Sequence, residues 1–354
     1  MSKRSLAVAL LQLLVLGFCF SWSLWGRSPL ASDDPPATST QLFLIEKGGK
    51  FGYINRAGEV VVPPTYSSAQ EFSEGVAAVS ISGKLGFIDT TGRIVLPPRY
   101  RWTFRFSENL ARVELGGKWG YIDKTGKLVI PPQYKAATEF SDGFASIESH
   151  HKWGFVDREG KVVISPQFTS VGNFSEGMAP VKVGTQWGFI DNTGRMIIPP
   201  AYSAALPFSE GFAAVAVQSK WGFIDKHGHA VIQPEYYTAR AFSEGLAAVS
   251  ILGKSGFIDK TGRMVVPADY ESSDDFSEGL AAVMMNGKWG FCDRTGHLVI
   301  PPQYDHTRPF RGGLARVWTG DRWGYVDATG KFAWGPVPQE TCHHCWISWV
   351  TMIG

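Results

Sequence analysis

The sequence predicts an all-β fold of nine tandem 34-residue repeats, each a three-stranded antiparallel β-meander, in an open superhelical or solenoid stack. An aromatic residue directly before a glycine recurs every 34 residues without insertion, and leucine or serine replaces it in two units. The chain holds 40 Gly, 21 Pro and 13% aromatic residues, a composition typical of short strands and tight turns and unfavourable for helical repeats. The recurring positions are Phe51, Leu85, Trp119, Trp153, Trp187, Trp221, Ser255, Trp289 and Trp323.

A closed propeller-like toroid is the alternative to the open stack. Many propellers close by placing strands from both termini in one blade, and no unit of this sequence is split in that way. Propellers also usually have four to eight blades, and each blade usually has four strands. Both points favour the open stack.

The N-terminal segment predicts export. Lys3 and Arg4 precede an uncharged apolar run over residues 6–25. This pattern is typical of a signal peptide, and the run is also long enough for a membrane anchor. Residues 1–26 are therefore predicted to be one or the other. Residues 27–40 are rich in Ser, Asp, Pro and Thr and are predicted to be a linker.

The third unit shows how each repeat is built. Residues 110–115, 119–122 and 127–130 have the composition of strands. The turn at residues 123–126 has Asp first and Gly last, as a tight hairpin requires. Pro131 and Pro132 end the third strand because proline lacks the N–H that a β-ladder needs. A return loop then leads to the next unit.

Two aromatic series are predicted to fill the core and hold the return loop on the sheet. Each buried phenylalanine is worth roughly 1.5–3 kcal/mol. The alternative is an exposed aromatic ladder that binds sugars or choline-like cations. The first series is Tyr66, Tyr100, Tyr134, Phe168, Tyr202, Tyr236, Tyr270 and Tyr304, and the second is Phe72, Phe106, Phe140, Phe174, Phe208, Phe242, Phe276 and Phe310.

An aspartate recurs at the start of each hairpin turn, except in the first unit, where Asn55 replaces it. Asparagine serves as well as aspartate in a turn but is a weaker calcium ligand. The series is therefore predicted to shape turns and not to bind metal. It comprises Asp89, Asp123, Asp157, Asp191, Asp225, Asp259, Asp293 and Asp327.

The recurrent pattern KWGFID..G..VIPP.Y......FSEGLA.V is similar to the WG repeat family, also called KWG repeats, over roughly residues 41–334. The resemblance implies a β-rich repeat protein used mostly for interaction or scaffolding, and it implies no catalytic residues. The repeat domain is predicted to span residues 41–336, with a C-terminal tail or cap over residues 337–354.

The tail contains Cys342, His343, His344 and Cys345, a weak candidate set of metal ligands. A zinc site needs four ligands in compatible geometry, which adjacent histidines between two cysteines hardly provide. A local Cys342–Cys345 disulfide and free thiols are the other interpretations. No metal and no cofactor is predicted.

The predicted function is a non-enzymatic, exported scaffold that binds a protein or cell-envelope component. A net charge of +2 does not favour nucleic acid, and membrane contact is expected only through the N-terminal segment. The alternative function is a cell-wall or glycan binder that uses exposed aromatics. Specificity is expected in the return loops that differ most between units, at one edge of the array. The candidate residues are Arg101, Trp102, Arg105, Tyr237, Arg240, Asp305, His306 and Arg308.

Overall fold

A computed structural model describes residues 41–338 as 34 strands in nine antiparallel sheets, numbered here as blades 1–9 in chain order. Blades 3–9 have four strands, in the order inner, first central, second central and outer. Within residues 41–338, blades 1 and 2 have three described strands, the two central strands and the outer strand. The sequence predicts only the meander, which forms the two central strands and the outer strand. The return loop adds a short fourth strand that pairs with the next unit.

The inner strands of blades 3–9 are Trp102–Ser107, Ala136–Ala137, Ser170–Val171, Ala204–Ala205, Thr238–Ala239, Ser272–Ser277 and His306–Thr307. The first central strands of blades 1–9 are Phe43–Lys47, Val76–Ile81, Leu110–Leu115, Phe144–Ser149, Met178–Val183, Ala213–Val217, Leu246–Ile251, Leu280–Met285 and Ala315–Thr319.

The second central strands of blades 1–9 are Lys50–Ile54, Lys84–Asp89, Lys118–Asp123, Lys152–Asp157, Gln186–Asp191, Lys220–Ile224, Lys254–Asp259, Lys288–Asp293 and Arg322–Val326. The outer strands are Val60–Tyr66, Ile94–Tyr100, Leu128–Tyr134, Val162–Phe168, Met196–Tyr202, Ala230–Tyr236, Met264–Tyr270, Leu298–Tyr304 and Phe332–Pro338.

The blades form a closed ring, so the predicted open superhelical or solenoid stack is wrong and the fold is a nine-bladed β-propeller. Each apolar cluster lies between two neighbouring blades, and there are nine of them, whereas an open row of nine sheets has only eight interfaces. The ninth cluster packs Phe43, Ile45 and Ile54 of blade 1 against residues of blade 9, namely Leu314, Trp323 and Tyr325. The all-β prediction is confirmed.

In the part of the chain that the structure describes, the ring closes through sheets that pack against a neighbour on both faces. In blade 3, Tyr121 packs towards blade 4, and its neighbour Ile122 packs towards blade 2. This alternation follows from the two-residue period of a strand. Within residues 41–338, side-chain packing and side-chain hydrogen bonds join blade 9 to blade 1, at an interface called the seam below.

The repeated glycine of each second central strand makes room for a bulge in the outer strand. In blade 3 the register shifts between Ile130 and Tyr134, around the two prolines. A Cβ atom on Gly120 would lie 2.5 Å from the Ile130 carbonyl oxygen and 2.6 Å from the Pro132 nitrogen. Only glycine allows the two strands to approach so closely.

Seven of the eight phenylalanines of this series are buried between blades and Phe72 is half-buried, which confirms the predicted core role. Phe140 lies edge-on to Tyr121 of the preceding blade, with ring centroids 4.9 Å apart. This geometry is favourable for aromatic pairs beyond the area that they bury. Equivalent pairs are Tyr53–Phe72, Phe87–Phe106, Phe155–Phe174, Phe189–Phe208, Phe223–Phe242, Phe257–Phe276 and Phe291–Phe310.

The aspartate series shapes the hairpin turns, as predicted. The Asp123 Oδ1 atom accepts hydrogen bonds from the Thr125 hydroxyl at 2.6 Å, the Thr125 N–H at 2.9 Å and the Lys127 N–H at 3.1 Å. The bond from the Thr125 hydroxyl is the main cause that lowers the pKa of Asp123. Asn55 accepts the equivalent backbone bonds in blade 1.

Acid is expected to destabilise the ring through these turns. The pKa of Asp259 falls to about 2, mainly because of the Thr261 hydroxyl, and the fold lowers other turn pKa values in the same direction. The stabilisation is present above the unfolded pKa of about 3.9 and is lost as pH falls through the folded value. Melting temperatures measured between pH 5 and pH 2 should fall. Asp259→Asn should weaken that dependence, and an identical profile for the variant would contradict this account.

Candidate binding surface on the inner rim

The two faces of the ring differ in what they carry. One face holds the aspartate turns that join the second central strand to the outer strand, and it is called the Asp-turn face. Here the Glu74 carboxylate accepts the Asn109 N–H of the next blade at 3.1 Å and pairs with Lys124 at 3.1 Å. Glu108 binds the Gly143 N–H in the same way. These repeated contacts hold neighbouring blades together.

The other face is called the crossover face, because the chain there passes from an outer strand to the next inner strand. Each inner strand then runs along the axis towards the Asp-turn face. The two residues that precede each conserved phenylalanine are called the inner rim. They are Gln70 and Glu71, Phe104 and Arg105, Thr138 and Glu139, Gly172 and Asn173, Leu206 and Pro207, Arg240 and Ala241, Asp274 and Asp275, and Arg308 and Pro309.

Inner-rim residues contact their counterparts in the next blade. Arg105 of blade 3 pairs with Glu139 of blade 4 at 3.1 Å. Arg240 of blade 7 pairs with Asp274 of blade 8. Gln70 of blade 2 donates to the Thr103 carbonyl oxygen of blade 3 at 2.9 Å. Such contacts are expected where the blades converge on the axis of the ring.

A charged arc begins in blades 7 and 8. The Arg240 Nε atom lies 3.3 Å from the Asp275 Oδ1 atom, and both atoms are buried without a hydrogen-bond partner in the described chain. Burial is the main cause that raises the pKa of Asp275, although its side chain keeps 29% exposure. The carboxyl group is therefore largely enclosed by protein, while part of the side chain stays exposed to solvent.

The arc continues across the seam through Arg316 of blade 9. This buried guanidinium donates to the Glu71 carboxylate at 2.7 Å, to the Leu44 carbonyl oxygen at 3.1 Å and to the Tyr325 hydroxyl. Burial opposes its charge, but Tyr325 and Glu71 outweigh burial and raise the pKa of Arg316. Arg316 therefore ties blade 9 to blades 1 and 2.

Arg308 lies between the two halves of the arc. Burial and the nearby Arg316 lower its pKa, while Asp274 and Glu71 act in the opposite direction. The arc thus alternates basic and acidic groups over blades 7, 8, 9 and 2. A surface of alternating charge favours a partner with complementary charges in a defined orientation.

A separate basic and aromatic group lies in blade 3. The Arg112 guanidinium carbon stands 3.8 Å from the centroid of the Phe104 ring and 4.7 Å from that of Trp119. Arg112 also donates to the Ala137 carbonyl oxygen of blade 4. These contacts are those of a structural cation–π cluster, and they leave Phe104 half-buried at the inner rim.

The structure brings together only part of the candidate set. Arg240 and Arg308 belong to the charged arc, whereas Arg105 pairs separately in blade 3. Arg101 and Trp102 begin the crossover of blade 3. The remaining three lie at the crossovers of blades 7 and 9, and they are Tyr237, Asp305 and His306.

Two of these crossover residues make structural contacts. The Asp305 carboxylate accepts a hydrogen bond from the Lys288 ammonium at 2.5 Å and another from the Gly320 N–H at 2.6 Å. Tyr237 is 50% exposed and lies under Lys220, whose nitrogen is 3.3 Å from the ring centroid. His306 is exposed. Asp305 therefore serves the local turn, while Tyr237 and His306 keep surface for a partner.

The sequence prediction missed the acidic members of the arc, Glu71, Asp274 and Asp275, and the buried Arg316. The signal for the three acidic residues is a position that varies between aligned units, and it is not a local motif. In an alignment of the units, the two residues before each conserved phenylalanine are acidic in some units, basic in others and uncharged in the rest. A structural position would not tolerate such variation.

The crossover face also carries exposed aliphatic side chains at the tips of neighbouring hairpins. Leu252 is 82% exposed and has a φ of 49°, a conformation that favours Gly or Asn. Asn286 occupies the equivalent turn position of blade 8, at a φ of 51°. Other exposed residues at these tips are Val183, Val217 and Ile251. Neither exposure nor backbone preference accounts for a leucine at this turn.

Other site types find limited support in the described chain. Residues 41–338 contain no group of three or more His, Cys, Asp and Glu side chains that could hold a metal ion. Cys342, His343, His344 and Cys345 lie outside the described residues, as do the predicted signal or anchor and the linker. Among residues 41–338, Tyr237 is the one aromatic side chain in the exposed class.

Residues 41–338 contain no helix that is long and apolar enough to cross a bilayer.

Comparisons with known proteins agree with this architecture. The family profile described as "WG containing repeat" matches residues 51–84, 86–119, 119–149, 153–184, 187–221, 221–254, 256–289 and 289–321. A comparison with curated proteins finds no match.

Among solved structures, the crystal structure of "the eukaryotic initiation factor" is similar over 84% of this chain and 95% of its own length, at 10% identity and a TM-score of 0.61. AztD from Citrobacter koseri aligns over 82% of this chain and 92% of its own, at 14% identity and a TM-score of 0.40. Hsv2p from Kluyveromyces lactis aligns over 63% and 91%, at 10% identity and a TM-score of 0.40. The first of these similarities supports the fold alone.

Proposed function

We propose, since this chain belongs to the WG-repeat family, that its ring is a protein-interaction scaffold whose partner binds the crossover face and the inner rim. The observation that carries the proposal is the position of the variable residues. Blade-to-blade contacts on the Asp-turn face repeat with little change, whereas charge and size at the inner rim change from blade to blade.

The expected partner carries both charges and an apolar group. Arg240 and Asp275 form an ion pair at 3.3 Å whose side chains keep 36% and 29% exposure, and a charged group of the partner can join this pair. Leu252 supplies an apolar contact on the crossover face. Charged groups set specificity and orientation, while apolar residues at the centre of an interface usually carry most of the affinity. The scaffold acts without catalysis in this proposal.

The test is quantitative co-purification after crosslinking in cells, with the full chain as bait. A combined variant with Arg101→Glu, Leu252→Asp and His306→Glu should lose more than about 90% of the partner while its melting temperature stays unchanged, because these side chains are exposed. Full partner recovery with this variant would contradict the proposal.

The matched control carries Val60→Asp, Ile94→Asp and Leu128→Asp. These exposed aliphatic residues lie on the outer strands of blades 1–3, away from the crossover face. The control should retain the partner. Loss of the partner in the control alone would place the interface on the outer circumference of the ring.

We also propose that the scaffold works outside the cytoplasm, in the periplasm, at the cell surface or as a secreted protein. The support is the basic and apolar N-terminal segment. A fusion of the full chain to a reporter that is active only after export should be active. Replacing three leucines of the apolar run by arginine should abolish that activity, and an unchanged reporter signal would refute export through this segment.

A further inference from the structure

Blade 7 differs from the other blades at the position before the repeated glycine. Ser255 stands there, whereas six units have tryptophan and the remaining two have Phe51 and Leu85. Trp221 is 7% exposed and packs against residues of blade 7, and Trp323 is 6% exposed and packs against residues of blade 1. The interface between blades 7 and 8 follows the same plan, but a serine stands where these indole rings lie.

The side chains around Ser255 are also small. Ala248, two residues before Ser250, belongs to the apolar cluster between blades 7 and 8, so Ser250 faces blade 8 as well. Ser255 pairs directly with Ser250 and therefore projects to the same side. Ser273 of blade 8 occupies the position at which Ala239 packs between blades 6 and 7. None of these neighbouring side chains is large enough to replace the missing indole ring.

Met285 of blade 8 packs against the apolar cluster of this interface. The equivalent strand-end residue packs against the cluster at the two other interfaces without a tryptophan, whereas it is exposed at three interfaces that have one. The packed residues are Ile81 and Leu115, and the exposed ones are Val183, Val217 and Ile251. The indole and the strand-end side chain therefore occupy neighbouring space. Phe51 and Leu85 share that space with Ile81 and Leu115, whereas the corresponding neighbour of Met285 is a serine.

The space beside Ser255 lies at the crossover face. Ser255 is the second residue of its strand, directly after the hairpin turn that carries the exposed Leu252. On the side of blade 8, the Glu271 carboxylate accepts hydrogen bonds from the N–H groups of Asn286 at 3.0 Å and Gly287 at 2.9 Å, which fixes the hairpin tip of that blade. The surface around this space therefore consists of an exposed leucine and a hairpin that is held in place.

We propose that the interface of blades 7 and 8 is a pocket for one tryptophan side chain of the partner protein, with Met285 as its movable cover. The inference rests on the protein-interaction function proposed above. Six units of this chain place their own indole at the same position, so the repeat already has the geometry that holds such a ring between two blades. Methionine is unbranched and flexible, so its side chain can leave the space when the ring enters.

The pocket is continuous with the candidate surface. Ser273 directly precedes Asp274 and Asp275 of the inner rim, and both carboxylates pair with Arg240 of blade 7. A partner tryptophan in the pocket brings the residues next to it beside these charges and beside Leu252. Tryptophans enclosed in a pocket are common anchors of protein interfaces. The pocket then contributes affinity, and the charged residues contribute orientation.

N-acetyl-tryptophanamide serves as the probe of the pocket. The full chain is titrated with it while ligand-detected NMR signals and the melting temperature are followed. At a concentration of about five times its Kd, the probe should raise the melting temperature by about 2 °C, because it binds only the folded ring. N-acetyl-alaninamide is the control and should give no shift. A melting temperature that the tryptophan probe leaves unchanged would overturn the proposal.

Two double variants locate the site of binding. Ser255→Trp with Met285→Ile fills the pocket with the residue pair that blades 6 and 7 have at positions 221 and 251. This filled variant should melt at or above the temperature of the natural chain and should lose probe binding. Trp221→Ser with Ile251→Met opens the equivalent space between blades 6 and 7 and should bind a second probe molecule. Equal probe binding by the natural chain and the filled variant would refute the site.

The role of Met285 has its own test. Met285→Ala removes the cover, so the affinity for the probe should rise at least about threefold, because the open state no longer has to form first. An unchanged or weaker affinity would overturn the role of Met285 as a cover.

Partner recovery separates this inference from the function on which it rests. In the crosslinking experiment described above, the filled variant should lose more than about 90% of the partner. If it keeps the partner while the combined Arg101, Leu252 and His306 variant loses it, the pocket is wrong and the scaffold function stands. If both variants keep the partner, the scaffold function is contradicted as well.

Discussion

Replacing Phe43 by alanine is expected to destabilise the protein by about 3–5 kcal/mol, the usual cost of deleting a buried phenylalanine. Phe43 is 4% exposed, and its ring lies edge-on to Tyr325 of blade 9 at 5.3 Å between centroids. All eight later units have alanine at this position, namely Ala77, Ala111, Ala145, Ala179, Ala213, Ala247, Ala281 and Ala315. The first unit alone fills the space that the conserved phenylalanine fills at the other interfaces.

Equilibrium unfolding in urea measures the effect, and it separates a ring from an open row. In an open row Phe43 would lie on an end sheet with nothing to bury it, so Phe43→Ala would cost little. Phe43→Leu keeps most of the apolar volume and should cost less than about 1.5 kcal/mol. A loss below about 1 kcal/mol for Phe43→Ala would therefore argue against the closed seam.

The strands and turns were predictable because each depends on chemistry within one unit. Asp123 and Gly126 form their turn with residues at most four positions away, and Pro131 and Pro132 sit where the outer strand bulges. The same turn and strand pattern recurs in nine units, which made the prediction more secure. The predicted return loop nevertheless contains an inner strand, since a two-residue strand such as Ala136–Ala137 is too short for a two-residue period to be read.

Ring closure was not predictable in the same way because it depends on contacts between the ends of the chain. Tyr325 and Arg316 both donate to the carbonyl oxygen of Leu44, more than 270 residues earlier. The sequence shows no unit split between the termini, which argued for an open row, whereas the described residues of blades 1 and 9 meet through side chains. Two residues of the end units differ from the repeat consensus and indicate a distinct interface. Phe43 stands where the other units have alanine, and Gly312 stands where the preceding unit has Glu278.

The sequence predicted where part of the candidate surface lies, but it did not predict which charged side chains contact each other there. The variation between return loops predicted Arg240 and Arg308 as binding residues, and both lie on the inner rim. Their acidic neighbours Asp274, Asp275 and Glu71 belong to other units, and nothing in the local sequence shows that they meet. Arg240 and Asp274 lie in consecutive blades and would also meet in an open row, whereas Glu71 meets Arg316 only in the closed ring, so this part of the charged arc could not be predicted.

Gly120→Ala is expected to cost about 3 kcal/mol, although it adds only one methyl group. The added Cβ would lie 2.5 Å from the Ile130 oxygen and 2.9 Å from the Pro131 carbonyl carbon, both of them backbone atoms. Backbone cannot rotate away as a flexible side chain can, so the second central strand and the outer strand must separate. The separation also loosens Tyr121, which packs against blade 4.

The matched control is Gly116→Asn, in the turn that precedes the same strand. Gly116 has a φ of 62° with no atom within 4 Å of an added Cβ, and Asn286 occupies the same turn position in blade 8. Its cost should stay within about 0.5 kcal/mol. Urea unfolding of both variants compares them directly. Equal losses would mean that the strand glycine serves backbone flexibility, and a large loss only for Gly120→Ala would mean that it serves the close approach of the outer strand.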